Sequence, residues 1–132
     1  MLMNQSKSND SARPPITIFV VDDEQMLLDL AVALLQPLGY NVLTFSDPRL
    51  ALKEYPAAKP AVVVTDYAMG EMNGLDLMRE CRRVNPCQKI ILVSGTVDEN
   101  IFAGLQPKPD RFLVKPYPVQ EFIETIQEMV ES

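Results

Sequence analysis

With 132 residues, the chain has room for one hydrophobic core and little more. Its 47% hydrophobic and 23% charged content excludes disorder along the whole length, and its net charge of −6 argues against direct binding to nucleic acid or an anionic membrane, which need clustered Lys and Arg. There is no histidine, which excludes Ser-His-Asp and Cys-His nucleophile pairs and His-rich zinc sites and leaves carboxylates, hydroxyls and lysine to carry any chemistry.

Residues 1–15 are polar, end in Arg13-Pro14-Pro15 and show no periodicity, which predicts a flexible tail, with the folded domain spanning 16–132. Ile16–Val21 reads as a first strand. A helix follows over Gln25–Leu35, where Leu27, Leu30, Ala31 and Leu34 recur at i, i+3, i+4, i+7 as one buried stripe, before Pro37 and Gly39 stop it. A second strand, Asn41–Phe45, leads into a helix opened by the cap Asp47-Pro48 and fading before Pro56. The third strand, Ala61–Thr65, precedes a helix from about Leu75 to Val84 that Asn85-Pro86 ends. Lys89–Ser94 and Arg111–Val114 are the fourth and fifth strands. Between them, in Asp98–Asp110, Gly104, Pro107 and Pro109 allow only a short or distorted fourth helix. A last helix, opened by Pro118, presents Phe122, Ile126, Met129 and Val130 on one face.

Alternating strands and helices of this kind predict a doubly wound, five-stranded parallel sheet with right-handed crossovers, helices on both faces and a ligand site outside the carboxyl ends of the strands. Cys81 and Cys87 lack CxxC spacing and metal-binding partners and read as free thiols. No apolar run reaches the roughly 20 residues of a membrane span, and MLMNQSKSND has no apolar signal core, so a cytoplasmic location is expected.

The residues following each strand converge on one edge: Asp22-Asp23-Glu24, Asp66, Ser94-Gly95 and Lys115-Pro116. Clustered carboxylates repel, by roughly 1 kcal/mol per pair at about 4 Å in water and about 4 at an effective dielectric of 20. A cation is therefore expected among them, and oxygen-only ligands suit a hard ion such as Mg²⁺. Ser94 and Lys115 add a hydroxyl donor and a positive charge suited to a tetrahedral anion, which makes phosphoryl chemistry the natural inference and Asp66 the best-placed nucleophile. Taken singly, each residue has an ordinary role: Asp22-Asp23 as a helix cap, Asp66 as a turn acid, Ser94 as a loop hydroxyl, Lys115 as a surface charge. Their joint arrival at the ligand-binding edge favours the site.

The ordered set Val20-Val21-Asp22-Asp23-Glu24, Asp66-Tyr67-Ala68-Met69-Gly70-Glu71-Met72-Asn73-Gly74, Ser94-Gly95 and Phe112-Leu113-Val114-Lys115-Pro116 resembles the receiver domains of bacterial response regulators over about residues 16–132. That resemblance implies a flavodoxin-like sheet of order 2-1-3-4-5. It implies that Asp66 is the phosphoacceptor and that Asp22 and Asp23 hold Mg²⁺ together with Asp66 and the backbone carbonyl of Ala68. It implies further that Ser94 and Lys115 contact the phosphoryl group and that Phe112 is a switch aromatic, whose ordinary alternative is a plain core ring. Two departures stand out. Gly70 replaces the family's usual proline, which should loosen the loop beside Asp66, and Ala103–Asp110 replaces the usual small-residue helix end, which puts the common signalling surface in question.

The expected function is phosphotransfer signalling, with phosphate received from a histidine kinase or histidine phosphotransfer protein and the output carried by an effector protein or a homodimer. Such a module acts only on its own phosphorylation and is not an enzyme for a separate substrate. A phosphorylation-independent receiver-like scaffold is the alternative, and a small-molecule phosphohydrolase the weakest reading, since Ala68 stands where those enzymes want a second acid.

Overall fold

A computed structural model describes residues 14–95 and 108–132. The expected tail up to residue 13 and the expected fourth helix up to Pro107 lie outside them. Strands β1 (Thr17–Val21), β2 (Asn41–Phe45), β3 (Val62–Asp66), β4 (Lys89–Ser94) and β5 (Arg111–Val114) form one parallel sheet in the order β2-β1-β3-β4-β5. The α-helices described are α1 (Gln25–Leu35), α2 (Pro48–Ala58), α3 (Gly74–Val84) and α4 (Val119–Glu131), with a short 3-10 turn at Gln36–Leu38 after α1. The chain steps outward from β1 to β2 and then crosses back to β3, so the strand order reverses between β1 and β3, where such sheets bind ligands.

Strand alternation builds two cores. Ile18 and Val20 of β1, Val62 and Val64 of β3, Ile91 and Val93 of β4 and Leu113 of β5 face α1 and α4, whose Leu28, Ala31, Leu35, Phe122, Ile126 and Met129 cover them. Phe19, Val21, Val63, Ile90 and Leu92 point the other way, against Ala51 and Tyr55 of α2 and Leu77, Met78 and Cys81 of α3. Burial on both faces explains why the central strands read as unbroken apolar runs.

Several boundaries differ from expectation. The buried side of α1 is Leu28, Ala31 and Leu35, whereas Leu30 is exposed and Leu27 and Leu34 are only half-buried. Leucine or alanine occupies most positions of QMLLDLAVALL, so period alone leaves the orientation of the helix open by one residue. The first strand starts at Thr17, one residue late, and α2 runs through Pro56 to Ala58 instead of fading before it. Within three residues of a helix end a proline forfeits a single amide bond, and Lys59 then closes α2 in the left-handed region at φ 47°, its N–H donating to the Tyr55 carbonyl at 3.1 Å. Asp47 caps α2 as expected, its carboxylate accepting from the Arg49 N–H. Pro118 is the cap of α4 rather than its first residue.

At the edge away from the acids, Arg82 of α3 ties down the segment entering β5. It donates to the Asp110 carboxylate at 2.9 Å, the Lys108 carbonyl at 2.7 Å and the Gln88 carbonyl at 3.2 Å. Asp110 also accepts from the Ile90 N–H at 2.8 Å and donates its own N–H to the Ile90 carbonyl at 2.9 Å. Both cysteines are free thiols, and burial pushes Cys81 up to about 12.

Candidate functional site

The third strand is displaced one residue from its expected bounds, so that Asp66 is the last residue of β3 rather than the first beyond it. Its place is fixed from the backbone. Asp66 pairs in register with Val93, and the next amide, Tyr67 N–H, donates to the Val93 carbonyl at 2.8 Å. The Asp66 carbonyl accepts from the Thr65 hydroxyl at 3.0 Å and lies against Gly74, where a Cβ would stand 2.5 Å from that oxygen. Gly74 in turn donates to the Tyr67 carbonyl at 2.8 Å and opens α3 behind a capping box in which Asn73 and Asp76 bond each other's amides. The turn between holds Gly70 at φ +67°, a value closed to the proline that the resemblance leads one to expect, so the substitution selects a different backbone path as well as a looser one.

Alternation gives Asp66 the side of Val62 and Val64, Asp22 that of Ile18 and Val20, and Lys115 that of Leu113. The three meet. Lys115 Nζ lies 3.1 Å from Asp22 Oδ2 and 3.4 Å from Asp66 Oδ2, and it is backed by a Lys115 N–H bond to the Ser94 carbonyl at 2.8 Å. Asp23 joins them, and one carboxylate oxygen from each of Asp22, Asp23 and Asp66 lies within 4.8 Å of the other two. Asp22 and Asp66 are buried and Asp23 is exposed, which gives the cluster a floor and an open mouth. Neither Asp22 nor Asp23 caps α1 by its side chain. Asp22 Oδ1 instead accepts from the Glu24 N–H at 2.9 Å.

Burial raises the pKa of Asp66, with the Asp22 charge adding to it against Lys115. Burial likewise raises Asp22, opposed by the Glu24 amide and Lys115. For Lys115, burial works against the ammonium, but the hydrogen bonds that it donates to Asp22 and Glu24 outweigh it and lift the pKa above that of an ordinary lysine. One ammonium thus pairs with Asp22, Asp66 and Glu24 and leaves negative charge uncompensated.

That surplus, the oxygen-only donors and a spacing close to the roughly 3–4 Å between two oxygens on one Mg²⁺ fit a hard divalent cation. Ala68 lies exposed in the turn after Asp66. Ser94 ends β4, is buried, and sits one residue beyond the partner of Asp66. By strand parity it shares the opposite side of the sheet with Leu92 and Phe112, whose half-buried ring packs with the α2–α3 core. Two residues near the acids had no assigned part in the sequence reading. Glu24 Oε1 lies 3.1 Å from Lys115 Nζ, and Tyr117, whose pKa burial and the Asp22 charge raise, stacks on Phe122 with ring centres 5.2 Å apart. The signal for Glu24 was its unusual place at a helix cap. Tyr117 gave none beyond following Lys115-Pro116.

Comparison with known proteins gives a consistent picture. The model of the response regulator receiver domain matches residues 18–127. The probable transcriptional regulatory protein TcrX of Mycobacterium tuberculosis is 32% identical over 83% of this chain and 47% of its own length. The chemotaxis protein CheY of Thermotoga maritima is 30% identical over 85% of this chain and 95% of its own. A receiver domain structure from Clostridium thermocellum superposes with a TM-score of 0.80 at 27% identity, covering 88% of this chain and 94% of that one. The chain therefore spans about half the length of TcrX and a similar share of several other curated relatives.

Proposed function

Because the chain belongs to the response regulator receiver domain family, we propose that it is the phosphoacceptor of a two-component system, taking a phosphoryl group from a partner's phosphohistidine onto Asp66 and so switching a protein-interaction surface. The convergence of Asp22, Asp23, Asp66 and Lys115 at one sheet edge carries this reading. The receiver unit is taken as residues 16–132, preceded by a tail, and the reading puts it in the cytoplasm with its phosphodonor.

In the proposed step an Asp66 carboxylate oxygen forms a bond to phosphorus while the donor's N–P bond breaks, its electron pair returning to the imidazole nitrogen. With no histidine in the chain, the donor imidazole belongs to a kinase or histidine phosphotransfer protein. In this reading Lys115, 3.4 Å from Asp66 Oδ2, would neutralise charge spreading onto the phosphoryl oxygens, and the Ser94 hydroxyl would bond one of them. Asp22, Asp23, Asp66 and the Ala68 carbonyl would hold Mg²⁺, which supplies further charge neutralisation at those oxygens. The Ser94 and Phe112 side chains share one side of the sheet, which supports their acting together as the switch. The chain turns over no separate substrate, and its output belongs to an effector protein or a second copy.

The test is to incubate the protein with Mg²⁺ and acetyl phosphate and record intact mass. One phosphoryl adduct that requires Mg²⁺ and is lost in Asp66→Asn is expected. Folded protein that gains no mass from either acetyl phosphate or a histidine kinase would move the reading to a phosphorylation-independent scaffold.

A further inference from the structure

Glu24 stands at the N-cap of α1, and its side chain makes no cap bond. Short acceptors such as Ser, Thr, Asp and Asn are favoured there because they reach back to the first free amides. The backbone of Glu24 serves the helix whatever its side chain: its carbonyl accepts from Leu27 and Leu28 at 3.0 and 3.3 Å, and its N–H donates to Asp22 at 2.9 Å. The side chain crosses to Lys115 Nζ at 3.1 Å instead. A local preference is broken in favour of a contact at the site, which is where such departures concentrate.

The other two partners of Lys115, Asp22 and Asp66, belong to the acidic cluster that fits a divalent cation, and Glu24 stands outside it. Oxygens shared with a cation have less to offer an ammonium. Glu24, 61% exposed against 18% for the Lys115 side chain, is then the carboxylate left to the lysine on its solvent side. We propose that Glu24 is a positioning residue that tethers Lys115 at the mouth of the site, so that incoming phosphoryl oxygens compete with its carboxylate for the lysine. The competition rests on the phosphoacceptor reading above, whereas the tether itself can be read without any phosphorylation.

The experiment uses the full chain with Mg²⁺, as wild type, Glu24→Gln and Glu24→Ser. Brief acetic anhydride labelling with peptide mass spectrometry measures the reactivity of Lys115 against that of the exposed Lys53, and mass gain from acetyl phosphate measures loading. Both variants should raise Lys115 labelling and loading by about two- to fivefold, the span of a partly exposed ion pair, with Lys53 unchanged. Serine, a better cap, should do so with a higher melting temperature, which separates untethering from unfolding. Unchanged Lys115 labelling overturns the proposal. Faster loading with unchanged labelling overturns it too, since Glu24 would then act only as a negative charge repelling the donor. Raised labelling in a protein that takes no phosphoryl group leaves the tether standing and sinks the phosphoacceptor reading alone.

Discussion

Replacing Asp66 by asparagine should make the metal-free protein more stable. Asp66 lies within 4.8 Å of both Asp22 and Asp23, and at an effective dielectric of about 20 each pair repels by about 3.5 kcal/mol. Lys115 at 3.4 Å returns about 5 kcal/mol of attraction, so repulsion exceeds it by about 2 kcal/mol. Asp23 is exposed, and screening that trims its share by about 1 kcal/mol leaves an expected gain of about 1 kcal/mol, or about 3–5 °C in Tm. The pH dependence has a definite sign. Burial, then Asp22, raises the folded pKa of Asp66 above the ordinary 3.8, so the folded state holds its proton more tightly than the unfolded chain. The penalty is absent below that ordinary value and grows as pH rises through the folded pKa. Thermal melts followed by circular dichroism in low salt with EDTA should show Asp66→Asn melting higher than wild type at pH 7, with the gap closing near pH 3. Added Mg²⁺ should stabilise the wild type and narrow the gap at pH 7. A variant that melts at or below the wild-type temperature at pH 7 in EDTA would refute the view of this site as an electrostatically strained cluster awaiting a cation.

Three further outcomes are expected. Gly74→Ala would drive a Cβ to 2.5 Å from the Asp66 carbonyl and 2.7 Å from Leu92, costing about 1–3 kcal/mol in denaturant titration and slowing loading from acetyl phosphate. Lys59→Gly relieves a left-handed backbone at φ 47° and should stabilise by about 1 kcal/mol, seen as a higher urea midpoint with unchanged slope. Arg82→Ala should cost about 2–3 kcal/mol by the same titration, after discounting for the partial exposure of Asp110, and Arg82→Lys should not restore it, because one ammonium cannot reach the Asp110, Lys108 and Gln88 acceptors together.

The sheet was legible because its strands are short Val/Ile runs closed by turn residues. Asn41–Phe45, Lys89–Ser94 and Arg111–Val114 have the expected bounds. The orientation of α1 was not, since an almost wholly apolar helix carries little phase information, and Pro56 misled because a proline is tolerated once few amide bonds remain beyond it. At the site, Asp22, Asp23, Asp66 and Lys115 followed from the rule that strand ends deliver the chemistry. The part played by Glu24 did not, because an acid beside two others looks like more of the same until its partner, 91 residues away, is seen. The close approach of Gly74 to Asp66 was likewise invisible, since sequence gives the glycine but not the atom it spares.

The bonds from Arg82 and Ile90 to Asp110 bear on how such a chain can change over evolutionary time. They fasten the entry of β5 at one edge, while the Lys115 amide and the Ser94 carbonyl fasten its exit at the other. With β5 stapled to β4 at both ends, the connection joining them can be recomposed or lengthened with little disturbance to the placement of Lys115, each doubling of length adding only about 0.6 kcal/mol of closure entropy. Variation in the sequence of that connection can therefore leave the acid cluster in register.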